Sequence, residues 1–566
     1  MNPSTNEKVQ TKVLALGVTV TTLLVVTGPV TDPVNAPKFL VLGALAMSLF
    51  GIMIVKSTRN FWKENRILLA VLIIFVTGLI VSSVLSESPF TQNLYGVYGR
   101  NTGLLSYFFL AIVALGSSVL RAYESLRLIS LTFIFSGLAN IAYSAWVISF
   151  GDPISWSNPY GAILGTFGNP NFISSFLGMT CAALMSMVLK TQLTWRFRSI
   201  YALCAILSFY EITKTASVQG YVVAAAGVTF VLFLKLRSLT NQLYSYLFAG
   251  TAGLVGLLAV LGTFQVGPLT RFIYQGTLAF RGQYWRAGIN MGNSDPLTGV
   301  GADSYGNYYR MFRDPQALIT PGVKTVTNSA HNVILDLFSS GGYVVALSYL
   351  ALVIYGLLSV IKVIRRQRKF DEVFAILACV WFTYQLQSII SINQLGLAIW
   401  GWVTTGLLIA YEHITRSSEN VSRAQVSSPG RGKSRQSVST LISPQLRAGI
   451  GILVGILIAL PPFNADIKWR SALESQNANK VIASLQPSYL NPLDSQRLSQ
   501  AVQVFADSNL LPQARDAAIQ GIEFSPDYFD AWRVLYFLPN STDTEKSLAL
   551  ENMKRLDPLN PDVLAQ

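Results

Sequence analysis

Apolar runs of roughly 17 to 22 residues recur along this chain from Val13 almost to its last quarter, each long enough to cross ~30 Å of hydrocarbon as a helix. Backbone inside a bilayer must satisfy its own hydrogen bonds, so such runs dictate an all-α fold, a polytopic bundle of about 12 to 13 membrane helices. The spans are predicted near residues 13 to 30, 38 to 55, 67 to 85, 103 to 120, 128 to 148, 171 to 189, 199 to 212, 220 to 234, 247 to 264, 332 to 361, 372 to 391, 396 to 411 and 448 to 463. With 51% hydrophobic and only 12% charged residues in a chain of 566, a soluble enzyme of this size is excluded. The first run is followed by Thr31, Asp32 and Pro33 rather than a small-residue cleavage site, so it is expected to be a retained helix and not a signal peptide.

The net charge of +14 is distributed by loop and not gathered on one face, which argues for membrane orientation and against nucleic acid. With a cytoplasmic N-terminus, every second loop is basic: Lys56 to Arg66, Lys190 to Arg198, Lys362 to Lys369, and Arg416 to Arg435. The alternate loops carry few cations, and a long insertion at 265–330 is expected on that extracytoplasmic side. Residues 1–411 thus form a polytopic membrane domain. Residues 412–447, rich in Ser, Arg, Gly and Gln, read as a disordered basic cytoplasmic linker. A last short span at 448–463 ends in Pro461 and Pro462 and delivers a soluble helical domain, 464–566, to the extracytoplasmic side. In that domain Asn491-Pro492, Ser525-Pro526 and Asp557-Pro558 recur at a period resembling a tetratricopeptide array, a possible surface for a protein partner. Cys181, Cys204 and Cys379 lie inside apolar runs without metal-ligand spacing, so they are assigned to packing and no metal or cofactor is expected.

The cations that break the orientation rule are the candidate functional residues. Arg100, Lys214, Arg281 and Arg286 stand in outward segments, where topology gives no reason to keep them; an anionic ligand does. Guanidinium groups bind phosphate by charge-assisted, two-point hydrogen bonds. On a helix Arg281 and Trp285 share a face, with the indole free to pack on a sugar ring or lipid. Arg281 and Arg286 are also compatible with anchoring to lipid headgroups, Arg286 more so than Arg281. His331 is the only outward histidine of two in the chain; it suits a general base, or, with Asn332, a helix cap before Val333. His413 falls just beyond a span on the cytoplasmic side. Asp295, Asp303 and Asp336 are near enough in sequence to orient His331 or a substrate, although Asp295-Pro296 reads better as a turn before Gly299 and Gly301.

The segments "GTFGNPNFISSFLG" (165–178), "RGQYWRAGINMGNSDPLTGVGADSY" (281–305) and "SAHNVILDLFSSGGYVV" (329–345) resemble the O-antigen ligase and polymerase superfamily over roughly residues 90–410. The resemblance implies a metal-independent membrane glycosyltransferase that moves a glycan from a polyprenyl diphosphate carrier to an acceptor hydroxyl on a glycolipid, polysaccharide or protein, at the extracytoplasmic face of the cell membrane. It implies that His331 activates the acceptor, that Arg281 holds the diphosphate, and that Arg100 sits where relatives often keep a basic residue. One departure stands out: Ser217-Val218-Gln219-Gly220 replaces the Ser-Arg-Gly type sequence of relatives, leaving Lys214 or Gln219 to stand in for the arginine. Two other readings compete. A transporter for a lipid-linked glycan would use the same cations, though it calls for ionisable or broken mid-membrane helices in two related halves. A membrane anchor would act through its terminal repeats.

Overall fold

Helix-start residues stand where the apolar runs begin. Ser4, Asn169, Asn332, Asp371 and Ser443 each accept a backbone N–H from the first turn of the helix that follows. A computed structural model of the chain describes residues 3–54, 59–263, 266–273, 276–424 and 442–566, and these are helical with no strand among them.

The first ten helices are α1 (Thr5–Leu23), α2 (Asn35–Met53), α3 (Arg59–Leu85), the short α4 (Phe90–Tyr95), α5 (Leu104–Ser118), α6 (Tyr123–Phe150), α7 (Pro170–Val188), α8 (Trp195–Thr213), α9 (Gln219–Leu239) and α10 (Gln242–Thr263). The insertion holds α11 (Thr270–Ile273), α12 (Gly276–Ser294), α13 (Tyr305–Phe312) and α14 (Pro315–Ala317). Four long helices follow, α15 (Val333–Arg366), α16 (Glu372–Ile389), α17 (Leu395–Ala424) and α18 (Pro444–Glu474). The chain closes with α19 (Ala478–Ser484), α20 (Ser495–Asp507), α21 (Leu511–Phe524), α22 (Phe529–Phe537), α23 (Asp543–Leu556) and α24 (Pro561–Leu564).

Among the described residues, ten helices are long and apolar enough to cross a membrane: α2, α3, α6, α7, α9, α10, α15, α16, α17 and α18. The other three predicted spans fall on α1, α5 and α8. Helix α5 has only 15 residues, while α1 contains Glu7, Lys8 and Lys12, and α8 contains Arg196, Arg198 and Glu211.

The helices alternate in direction and leave two polar ends. At one, Arg121 N–H donates to Glu7, Lys190 pairs with Glu372, and Arg366 pairs with Glu412. This end collects the basic loops, and His413 lies there too, buried 4.0 Å from Glu412. At the opposite end, Asn35 donates to the Gly99 carbonyl at 2.6 Å and Gln92 reaches Ser304 at 3.2 Å. The candidate site lies at this second end.

The structure adds to the sequence reading in three places. Within the insertion, α12 and α13 fold around a core of Tyr284, Tyr305, Tyr308 and Tyr309. The stretch read as disordered from residue 412 starts as helix, because α17 runs on to Ala424, its Glu412 and Thr415 held by Arg366; residues 425–441 lie outside the described residues. Nor does the helix stop where the predicted last span ends at Pro461 and Pro462, since α18 continues to Glu474. A proline in a helix orphans the carbonyl four residues earlier. The one freed at Leu457 accepts the Tyr489 hydroxyl at 2.6 Å. The last membrane helix therefore enters the terminal domain without interruption, and its Trp469 and Ala472 belong to that domain's core.

Helix α18 lies against α2 through glycines. A Cβ at Gly51 would stand 2.6 Å from the Arg447 carbonyl, and one at Gly455 would strike the backbone of Gly43. Small residues of this kind let membrane helices approach closely. Gly455→Val is expected to cost about 1 to 3 kcal/mol by overpacking, read as a lower thermal midpoint in detergent. Gly449→Val, which adds a side chain into open space, is expected to leave the midpoint unchanged.

Candidate functional site

Two glycines build the frame of the site. Gly341 and Gly342 interrupt α15, the second with φ +62, a backbone region that strains any residue with a Cβ. The break exposes carbonyls, and the loop after α12 takes them: Val300 N–H donates to Ser339 O at 2.8 Å and Gly301 N–H to Ser340 O at 3.2 Å. In return Tyr343 N–H donates to Pro296 O at 2.8 Å. The Asp295-Pro296 turn closes with Gly299 N–H on Asp295 O at 2.9 Å. The two sequence segments "DPLTGVG" and "SSGG" are thus one interlock, which fixes α12 against the start of α15.

At that start, Asn332 caps the helix, accepting Ile334 N–H at 3.0 Å and Leu335 N–H at 3.1 Å. His331 precedes it with a left-handed backbone, φ +54. Its N–H donates to Ser329 Oγ at 2.9 Å, and Ser329 Oγ donates to Asp336 Oδ2 at 2.7 Å. Asp336 Oδ1 accepts the Ala330 N–H at 2.7 Å. Asp336 thereby fixes the loop on which His331 stands. The imidazole Nδ1 lies 3.2 Å from the Ser329 carbonyl, which can only accept, so Nδ1 carries the proton and Nε2 keeps its lone pair. The ring rests against Tyr284 of α12, centroids 5.5 Å apart. Burial pushes the imidazole pKa down to about 4, and the charges of Arg281 and Arg100 push in the same direction. Arg281 stands three residues before Tyr284 on α12, and Arg100 binds the Asn328 carbonyl three residues before His331, so both cations lie in the neighbourhood of the imidazole.

The cations differ in what neutralises them. Arg100 is bound to Asp303 at 3.2 Å and to the Asn328 carbonyl. Asp303 is itself buried, its carboxylate accepting Val97 N–H at 2.9 Å and Thr102 N–H at 3.3 Å. A small cleft between them is lined by Arg100, Asp303, Tyr305, Asp336 and Ser340. Arg281, on α12, has no carboxylate within 4.0 Å among the described residues, and burial disfavours its charged form. An anion arriving beside it would meet an uncompensated guanidinium.

The remaining predicted residues separate from this group. Arg286 is exposed and pairs with Asp314 at 3.6 Å. Trp285 packs on the tyrosine core, with its indole Nε1 buried and unpaired. Lys214, at the end of α8, places Nζ 5.4 Å from the ring of Tyr210 on its own helix. Gln219 is buried, its Oε1 accepting Ser175 Oγ at 3.3 Å. Neither makes a hydrogen bond, ion pair or ring contact with His331 among the described residues. Ser329 and Tyr284 escaped the sequence reading; the tyrosine falls between Arg281 and Trp285, and its spacing of three from Arg281 was the available signal.

The terminal domain touches this end of the bundle through the turns that carry the repeated prolines. Helices α20, α22 and α24 each begin three residues after Pro492, Pro526 and Pro558. From these turns Asp557 binds Arg313 of the α13 flank at 2.7 and 2.8 Å, with both side chains fully buried, and Asp527 accepts the Tyr308 hydroxyl at 3.0 Å. Tyr305 of α13 donates in turn to the Tyr284 carbonyl at 2.6 Å. Removing one partner of a buried pair strands the other charge, so Asp557→Asn is expected to cost about 3 to 5 kcal/mol, seen as a loss of thermal stability of the terminal domain. No curated protein matches this chain. Residues 200–350, the segment that contains Arg281, His331 and the broken start of α15, match the family model described as O-antigen ligase.

Proposed function

We propose that this chain is a membrane glycosyltransferase of the O-antigen ligase type, transferring a glycan from a polyprenyl diphosphate to an acceptor hydroxyl. What supports the reading is an imidazole with a free Nε2 lone pair packed on Tyr284, and an arginine without a carboxylate partner among the described residues one turn from that tyrosine, at the end of the bundle away from the basic loops. Basic loops mark the cytoplasmic side, so the site is assigned to the extracytoplasmic face.

In this reading His331 Nε2 takes the proton from the acceptor hydroxyl as its oxygen attacks the anomeric carbon. The carbon–oxygen bond to the diphosphate breaks, and the departing oxygen keeps the electron pair. Arg281 lies where that charge develops, and fixed cations act there most strongly because little water screens them. Arg100, already bound to Asp303, holds the neighbouring wall and contributes a weaker field. A diphosphate beside Arg281 also cancels part of the repulsion that depresses the imidazole. Donor binding thus raises the pKa of His331 toward the range suited to a base.

A pH profile follows from this. The imidazole is the base when neutral, and its pKa in the free protein is about 4. Transfer at low substrate is expected to stay flat from pH 8 to about 5.5 and to fall only as pH approaches 4. An acid limb centred near 6.5 would contradict the assignment. The reading itself is tested by reconstituting purified protein with a polyprenyl diphosphate glycan and candidate acceptors, with a chelator control. Product formation supports it; carrier movement across the bilayer without acceptor would favour transport instead.

A further inference from the structure

A second polar cavity lies at the opposite, basic end of the bundle, between the end of α9 and the turn from α15 to α16. Arg237, Gln367, Arg368, Lys369 and Asp371 line it, with Leu234, Val363 and Phe374 as its apolar wall. Arg237 belongs to the last turn of α9 and is 4% exposed. An interfacial arginine ordinarily extends its stem along the apolar surface and leaves its head in water. This one turns inward, and neither its Nε nor its Nη1 has a hydrogen-bond partner.

The acid in the cavity does not answer it. Asp371 accepts the Tyr123 hydroxyl at 3.0 Å and caps α16 through the Phe374 N–H at 2.9 Å. No carboxylate lies within 4.0 Å of Arg237 among the described residues, whereas the nearby Lys190 has Glu372 and Arg366 has Glu412. Arg368 and Lys369 are exposed at the rim, and Arg368 donates to the Thr240 carbonyl at 3.2 Å. Three cations therefore face one engaged carboxylate, over an apolar wall at the ends of the membrane-spanning helices α9 and α15. A buried guanidinium without an anion is costly, and a phosphate oxygen supplies what it lacks.

We propose that this cavity binds a phosphate group, carried by an anionic membrane phospholipid or free in solution, with Arg237 as its inner ligand and Arg368 and Lys369 at its mouth. The apolar wall suits the glycerol and upper acyl region of a lipid, and basic pockets between membrane helices are known to take such headgroups. The site is remote from His331 and does not depend on the transferase reading.

The test uses full-length protein in neutral detergent, titrated with phosphatidylglycerol, with phosphatidylcholine and with inorganic phosphate. Binding is read by native mass spectrometry and by the shift in thermal midpoint. Phosphatidylglycerol is expected to bind and raise the midpoint, and Arg237→Gln to weaken binding at least about tenfold, the loss expected for charge-assisted hydrogen bonds. If Arg237→Gln folds poorly, the rim variant Arg368→Gln/Lys369→Gln is expected to weaken binding in the same direction. Competition by millimolar phosphate assigns the site to the phosphate group alone, and its failure to compete assigns it to the lipid; both sustain the proposal. Equal lipid retention by the wild type and both variants would overturn it.

Discussion

His331→Ala is expected to insert and fold normally yet to lower glycan transfer by roughly 10² to 10⁴-fold, the usual contribution of a positioned general base. The side chain donates one bond, from Nδ1 to the Ser329 carbonyl, and does not cap α15, a task that falls to Asn332. Truncating it therefore removes the lone pair at Nε2 without opening the helix. The complementary variant, Asn332→Ala, removes a cap worth about 1 kcal/mol and is expected to lower stability with a much smaller effect on turnover. Wild-type transfer by His331→Ala, measured in proteoliposomes with equal protein content, would end the transferase mechanism proposed here.

Arg281→Ala carries the second large effect, a fall of roughly 10² to 10³-fold in kcat, as for loss of one preorganised donor to a developing anion. Arg281→Lys keeps the charge but not the two-point geometry and is expected to recover only part of the rate. The control is Arg286→Ala, five residues further along the same helix. Arg286 is exposed and already paired with Asp314, so its removal is expected to change the rate less than twofold. Equal losses for Arg281→Ala and Arg286→Ala would mean that a diffuse positive surface, and not a particular guanidinium, serves the diphosphate.

The helices were legible because bilayer thickness sets their length, and each apolar run fell on a helix, although the first, drawn to residue 30, overran the end of α1 at Leu23. Places where the reading failed are those where a distant group decides the outcome. Pro461 and Pro462 read as a stop because the Tyr489 hydroxyl that satisfies the Leu457 carbonyl lies beyond them in sequence. Thr415 and Glu412 read as linker because their partner, Arg366, lies on another helix. The candidate site shows the same division. His331 and Arg281 were visible as residues that topology does not explain. Lys214 was visible for the same reason, but a violated charge rule reports the side of the membrane and not convergence, and the contact seen for its ammonium is with the Tyr210 ring at 5.4 Å. The cradle around the imidazole was the least legible part. Ser329 is an ordinary serine in sequence, and its role depends on Asp336, one helical turn below, reaching back to it.

The central claim is that Arg281 stands near enough to His331 for its charge to act on the imidazole, and the imidazole can report it directly. The chain has two histidines, so isotope-labelled histidine gives two NMR signals, and a His413→Gln variant leaves only that of His331. The account expects this ring to titrate near 4, to move upward in Arg281→Ala as a repelling charge is removed, and to move upward on adding a diphosphate. A titration near 6.5, indifferent to both the substitution and the diphosphate, would contradict it.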